Sequence, residues 1–208
     1  MTVLVDYKAG NLTSVSLALS RMGVDHSISD DPDVVRRADR IVFPGVGAAG
    51  SAMETLNRTG LAEALTESVH KGTPLLGICI GCQILLDSSE EDGGTPCLGI
   101  LPGQVLRFHF EDRPHPRPKV PHMGWNPVEF QRPHPVLEGI ASGTHFYFVH
   151  SYYPAPARPE SVLGSTDYSG TVFASILDGG NAVATQFHAE KSGEAGLRLL
   201  ANFAKWRP

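Results

Sequence analysis

Cys79 stands between Gly77 and Gly81 in the run Pro74-Leu75-Leu76-Gly77-Ile78-Cys79-Ile80-Gly81-Cys82-Gln83-Ile84-Leu85. An apolar run that meets a thiol between glycines suits a sharp strand-to-helix turn, where larger neighbours would collide. Such a nucleophile elbow predicts a cysteine that ionises more readily than a free thiol, lifted onto the positive end of the helix that follows. Far downstream, Thr185-Gln186-Phe187-His188-Ala189-Glu190-Lys191 offers an imidazole and, shortly after it, a carboxylate. Cysteine nucleophiles need a base that takes and returns a proton, and the base works better when a third group fixes its orientation. Cys79, His188 and Glu190 are therefore the candidate catalytic residues.

Other readings of these residues are open. A free cysteine is often a small buried hydrophobe. Cys79-Ile80-Gly81-Cys82 also fits the C-x-x-C pattern of dithiol redox sites, although that leaves Gly77 without a reason. His188-Ala189-Glu190 together with C-x-x-C shares residue types with the zinc deaminase signature. There, however, H-x-E comes first and a proline directly precedes the C-x-x-C, whereas here the cysteines come first and Ile78 precedes Cys79. No metal site is expected. His26, His70, His109, His115 and His134 read as ordinary surface or core groups.

The elements that must position this chemistry alternate in type through the first half. Thr2 to Asp6 reads as a strand, and Asn11 as the N-cap of a helix whose apolar face is Leu12, Val15, Leu19 and Met22. Val24 to Ser29 reads as a second strand, Asp31-Pro32 opens a short helix, and Arg40 to Phe43 is a third strand ending in Pro44-Gly45-Val46-Gly47. Ala48 to Lys71 is helical in composition, divided at Gly60. This alternation predicts an α/β fold, a mostly parallel central sheet flanked by helices, with ligands beyond the carboxyl ends of its strands. Later, Ser88 to Pro96 and the proline-rich Glu111 to Pro121 read as exposed loops. Val105 to Phe110, Trp125 to Phe130, Thr144 to Tyr153 and Val172 to Leu177 are β-like. Asp178-Gly179-Gly180-Asn181 joins Val172 to Leu177 with Ala182 to His188 as an antiparallel hairpin extension. Ser192 reads as the N-cap of a last helix that turns Leu197, Leu200 and Phe203 to the sheet.

At 208 residues and 41% hydrophobic, the chain suits one domain spanning 1–208 with a closed core. A formal net charge of -5 gives no reason to expect nucleic acid. No apolar run approaches a bilayer span, and Met1 to Asp6 lacks the basic start of a signal peptide, so no membrane and a cytoplasmic location are expected. Three cysteines, two of them close together, suit reduced thiols rather than a disulfide framework.

Gly77 to Gln83 and Gln186 to Lys191 strongly resemble the class I (triad) glutamine amidotransferases, whose fold is flavodoxin-like. Asp6-Tyr7-Lys8-Ala9-Gly10-Asn11-Leu12, Pro44-Gly45-Val46-Gly47-Ala48 and Pro121-His122-Met123-Gly124-Trp125-Asn126 resemble one branch of that family, the glutaminase subunits of imidazole glycerol phosphate synthases. The resemblance covers essentially the full length. It implies that Cys79 attacks the side-chain amide of L-glutamine, His188 passes the proton to departing ammonia and Glu190 orients His188. It implies an oxyanion hole from the backbone of Ile80 and of the Val46-Gly47 loop, a substrate contact at Gln83, and no cofactor. It further implies a heterodimer with a (β/α)8 cyclase subunit that consumes the ammonia, with Asn11, Trp125 and Lys191 on the docking face. Lys8, Cys82 and Ala189 stand where the family usually has glycine, methionine and proline. A glutaminase serving anthranilate, aminodeoxychorismate or pyridoxal phosphate synthesis is the nearest rival, and a noncatalytic module on the same scaffold is another.

Overall fold

A computed structural model describes residues 1–8, 11–112 and 115–208. Strands β1 (Thr2–Val5), β2 (His26–Ser29), β3 (Arg40–Gly45) and β4 (Leu75–Cys79) lie parallel in the order β2-β1-β3-β4. β1, β3 and β4 are almost wholly apolar and buried along their length, the pattern of strands covered on both faces. Helices α1 (Leu12–Arg21), α2 (Pro32–Arg36), α3 (Ala49–Thr59) and α4 (Leu61–His70) connect them. Gly60, at φ 77°, divides α3 from α4 in the left-handed region that glycine enters at little cost. The Asp31 carboxylate caps α2 by accepting from the Asp33 N–H at 2.8 Å.

The parallel block gains β13 (Ala182–Thr185) beside β4, and there the sheet changes sense. β12 (Thr171–Asp178), β11 (Val162–Tyr168), β8 (His122–Phe130) and β9 (Thr144–His150) continue it antiparallel, giving a sheet of nine strands among the described residues. The α/β class holds. The expected β12–β13 hairpin is present, but it begins a four-strand extension rather than forming the whole of one. Strand β11 has no counterpart in the sequence reading, because Gly164-Ser165-Thr166-Asp167 lacks the apolar alternation that marks a strand.

Thr144 to Tyr153 divides at Ser151. β9 ends in the large sheet, and β10 (Tyr152–Pro156) enters a second sheet, ordered β10-β7-β5-β6, with β7 (Gly103–Arg107), β5 (Ser88–Ser89) and β6 (Thr95–Pro96). Ser88 to Pro96 is therefore tied down at both ends, where Ser89 and Thr95 are buried, while Glu90 and Asp92 to Gly94 between them are exposed as expected. The proline-rich stretch is mostly exposed where it is described, and Pro114 lies outside the described residues. The final helix α6 (Gly193–Lys205) buries Leu199, Leu200 and Phe203, with Leu197 half-buried. No helix among the described residues is long and apolar enough to cross a membrane.

A ring cluster closes the antiparallel half. Phe108 packs against Phe110, Tyr153, Tyr168 and Phe173 at centroid separations of 4.7 to 5.7 Å, and His122 and His150 complete the group. Burial pushes His122 down to about 4 and His150 down to about 3, so the fold holds both rings neutral. Burial lowers His134 as well. Unfolded, these imidazoles take up protons below their ordinary value of about 6.5. Their contribution to stability is thus complete above that value and is lost as pH falls from there toward 4 and 3. Two protons bound on unfolding give a slope of at most about 2.7 kcal/mol per pH unit. Denaturant midpoints compared at pH 7.5 and pH 5 should show a marked loss at pH 5 that shrinks in the His150→Phe variant.

Candidate active site

The chain turns at Cys79 with φ 57° and ψ -109°, outside the conformations that non-glycine residues ordinarily adopt. Its neighbours leave no room for side chains. A Cβ on Gly77 would lie 2.5 Å from the Gly81 carbonyl oxygen, and one on Gly81 would lie 1.9 Å from the Phe43 carbonyl oxygen. The elbow anticipated from the glycines is present. The helix behind it, α5 (Ile80–Gln83), is a single turn, so a long helix dipole does not act on the thiol as expected.

A buried imidazole and carboxylate pair stands beside it. His188 is fully buried beyond the end of β13, and Glu190 Oε1 lies 2.8 Å from its Nδ1. Burial alone would lower the His188 pKa, but contact with Cys79 and Glu190 outweighs it and raises the value to about 9. Burial would likewise raise Glu190, and its bond to His188 overrides this and holds it low. The Asn11 amide donates to the same Glu190 oxygen at 2.5 Å. Nδ1 must donate to the carboxylate, so Nε2 is the nitrogen left to exchange a proton with sulfur. Among the described residues it makes no hydrogen bond.

Asn11 departs from its expected part. It precedes α1 in a left-handed conformation, φ 82°, and its side chain makes no cap bond, being engaged by Glu190. Ser192 likewise makes no side-chain cap to α6. Its hydroxyl donates to the His188 carbonyl at 2.6 Å and accepts from the Tyr147 N–H at 3.0 Å. With the Lys191 N–H on the same carbonyl at 3.1 Å, these bonds fix the His-Ala-Glu turn that a proline would otherwise stiffen. Lys8 takes φ 67°, where a glycine would be unstrained, and pairs with Asp30 at 2.8 Å.

Cys79 and His188 open onto a cavity of about 390 Å³ also lined by Val46, Gly47, Ile80 and Gln83. The register of β3 on β4 pairs Gly45 with Cys79, which sets the Val46-Gly47 loop beside the Cys79 side chain. Gln83 is buried, and its amide donates to the Tyr152 carbonyl at 2.8 Å and to Gln186 Oε1 at 2.9 Å. Both its protons are so used, and what it can offer a ligand is the carbonyl oxygen. Three residues were missed as site members. Glu91 is the one carboxylate among the described residues lining the cavity, its pKa raised by burial and accepting from the Ala49 N–H at 2.7 Å. His150 lines the same cavity. The Tyr7 hydroxyl packs so closely on Gly45 that a Cβ there would lie 2.0 Å from it, and burial, then the Cys79 charge, keep it neutral. Glu91 was hidden in a segment read as a loop, and Tyr7 carries no motif signal by itself. Trp125 and Lys191 lie outside the cavity, exposed, with the Trp125 ring 6.0 Å from that of Tyr147. Among the described residues no three His, Cys, Asp or Glu side chains converge as a metal set, unlike a zinc deaminase.

This fold and site define a class, and residues 3–206 match the family model described as glutamine amidotransferase class-I. The chain belongs to that family and is a glutamine-hydrolysing enzyme. It is 50% identical over 208 residues to the imidazole glycerol phosphate synthase subunit HisH of Nitratidesulfovibrio vulgaris (strain DP4), covering 99% of this chain and 96% of that one. The HisH of Geobacillus sp. (strain WCH70) is 48% identical, with 98% and 96% covered, and that of Chlorobaculum tepidum 44% identical, with 99% and 100% covered. Solved structures of the same fold include a glutamine amidotransferase with TM-score 0.72 and 20% identity, covering 98% of this chain and 99% of that one. PurLQS from Thermotoga maritima gives TM-score 0.71 at 17% identity, with 98% and 97% covered.

The elbow packing is directly testable. Gly81→Ala forces a methyl group onto the Phe43 backbone, which cannot yield as a flexible side chain would. It should destabilise the protein by about 3 kcal/mol or more, read from denaturant midpoints, and abolish glutamine hydrolysis in whatever remains folded.

Proposed function

We propose that the protein is the glutaminase subunit of an imidazole glycerol phosphate synthase, a cytoplasmic enzyme of histidine biosynthesis whose single domain spans residues 1–208. The observation that carries this reading is the buried Cys79, His188 and Glu190 arrangement, braced by the half-buried Asn11 and opening onto a cavity whose one acid among the described residues is Glu91. The Cys79 sulfur attacks the carboxamide carbon of L-glutamine. The C–N bond breaks as His188 Nε2 gives its proton to the departing nitrogen, leaving ammonia and a glutamyl thioester. Water, deprotonated by His188, then cleaves the thioester to glutamate and restores the thiol. Glu190 holds the His188 tautomer and stabilises the imidazolium, and Asn11 holds Glu190.

Charge develops on the carbonyl oxygen in both tetrahedral steps. The Ile80 N–H following the nucleophile is one donor for it, and the Val46-Gly47 loop supplies the second. Glutamine itself brings an α-ammonium group, for which Glu91 is the counter-charge, while the Gln83 carbonyl accepts a further N–H of the substrate. The ammonia passes to a (β/α)8 cyclase subunit, which closes the imidazole ring of imidazole glycerol phosphate and releases aminoimidazole carboxamide ribotide. Exposed Trp125 and Lys191 belong to the face that receives this partner. Asn11, half-buried with its amide on Glu190, transmits contact there directly to the triad.

Steady-state assay of released glutamate tests the assignment. The protein alone should hydrolyse glutamine slowly, addition of the cyclase with its nucleotide ligand should accelerate it, and Cys79→Ala should be silent in both conditions. Retained turnover in that variant would sink the reading. Glu91→Gln should raise KM for glutamine by roughly tenfold to a hundredfold, the scale of one charge-assisted bond, with a smaller change in kcat. An unchanged KM would remove Glu91 from the substrate site.

A further inference from the structure

His122 and His150 are buried polar side chains in an aromatic cluster, and the mechanism above uses neither. Their hydrogen bonds are ordered. His150 Nδ1 lies 2.8 Å from the Tyr152 carbonyl oxygen, which can only accept, so Nδ1 carries the proton. A neutral ring then has an unprotonated Nε2, and this nitrogen lies 2.9 Å from His122 Nδ1, which must donate to it. His122 Nε2 is left as an acceptor, 3.1 Å from the Asn126 amide nitrogen. The same Tyr152 carbonyl takes the Gln83 amide from its other side at 2.8 Å. That fixes which end of Gln83 is nitrogen, and its second proton goes to Gln186 Oε1 at 2.9 Å. The Gln186 amide is thereby oriented with Nε2 toward the Cys79 sulfur, 4.0 Å away. One backbone carbonyl thus sets the direction of every bond from Asn126 to Cys79.

We propose that Asn126, His122, His150, the Tyr152 carbonyl, Gln83 and Gln186 form one polar strut that aims the Gln186 N–H at the Cys79 thiolate. His122, His150 and Gln186 are then positioning residues for the nucleophile, and this rests on the reading of Cys79 as the attacking group. The neutrality the strut requires is supplied by burial of both rings. Neither ring can be replaced by an apolar isostere without stranding a buried partner, which is why two imidazoles persist among phenyl rings. A 4.0 Å approach to sulfur is at the outer limit for a hydrogen bond, so small displacements along the strut change its strength sharply. The titratable groups coupled to Cys79 are His188, Tyr7 and Cys82, and those coupled to His150 are His122 and His188. None of the variants below touches His188, Tyr7 or Cys82.

The test follows alkylation of Cys79 by iodoacetamide as a function of pH, by peptide mass, alongside kcat and KM for glutamine in the full chain. Gln186→Leu and His122→Leu should each move the midpoint of Cys79 reactivity to higher pH and lower kcat by about tenfold. His122→Asn keeps a donor in the place of Nδ1 and should stay within about twofold of wild type. The double variant His122→Leu/Gln186→Leu should be no worse than Gln186→Leu alone, because both break one chain. Should His122→Leu fail to fold, the half-buried Asn126→Ala replaces it and should shift the midpoint in the same direction. Midpoints that stay at the wild-type value, equal losses in the Asn and Leu variants of His122, or fully additive losses would each overturn the strut. Failure of the nucleophile reading is distinct, for it shows as glutamine turnover that survives Cys79→Ala.

Discussion

The turn after β4 is pressed against the end of β3 so closely that the Gly81 α-carbon has the Phe43 carbonyl where a side chain would begin. The rest of the site depends on that contact. It holds Cys79 at a positive φ that a cysteine would not adopt unaided, and strain of this kind persists only where surrounding structure over-determines it. The over-determination comes from strand register. Pairing of Gly45 with Cys79, and of Thr185 with Ile78, makes the Val46-Gly47 loop, Cys79 and His188 neighbours at the ends of three adjacent parallel strands. No long loop has to reach across the sheet to assemble them.

Electrostatics in this crowded place is governed by what burial leaves unpaired. The Glu190 side chain is buried with one oxygen engaged by His188 and Asn11, while among the described residues its Oε2 and the His188 Nε2 have no partner. When His188 is protonated, the Glu190 charge is compensated by a full ion pair. When it is neutral, only hydrogen bonds remain, and Asn11 then supplies a larger share of what keeps the carboxylate ionised. That is the physical reason a half-buried amide from the far end of the chain belongs in this constellation.

Much of this was legible in the amino-acid sequence. Glycines around Cys79 announced a turn too tight for side chains, and the alternation of strands and helices placed Pro44 to Gly47 at a strand end. What was hidden depended on tertiary partners. Asn11 looks like a helix cap because asparagine favours that position, and only the fold shows its amide spent on Glu190. Ser192 misleads in the same way. Strand β11 escaped notice because its polar, small residues gain their place from pairing with β12 and β8 rather than from local preference. Glu91 sits where acidic and turn-forming residues read as loop, and the short β5 and β6 strands that bring it to the cavity have too few residues for any periodic signal.

Cys79 and Cys82 show how far environment, rather than residue type, divides the chemistry of this chain. The C-x-x-C spacing alone fits a dithiol redox pair, which requires both sulfurs to reach the thiolate state in turn. Cys82 is wholly buried in the core, and its pKa is raised well above the ordinary value, by burial first and then by the charge of Cys79. Held protonated chiefly by burial, Cys82 cannot take the resolving role. Cys79 has the complementary setting, with a cavity on one side and His188 raised toward an imidazolium on the other. A thiolate beside a cation and an opening is a nucleophile for an external electrophile, and a neutral thiol in the core behaves as a small apolar side chain. Cys82 therefore fills space in the core and is no redox partner for Cys79.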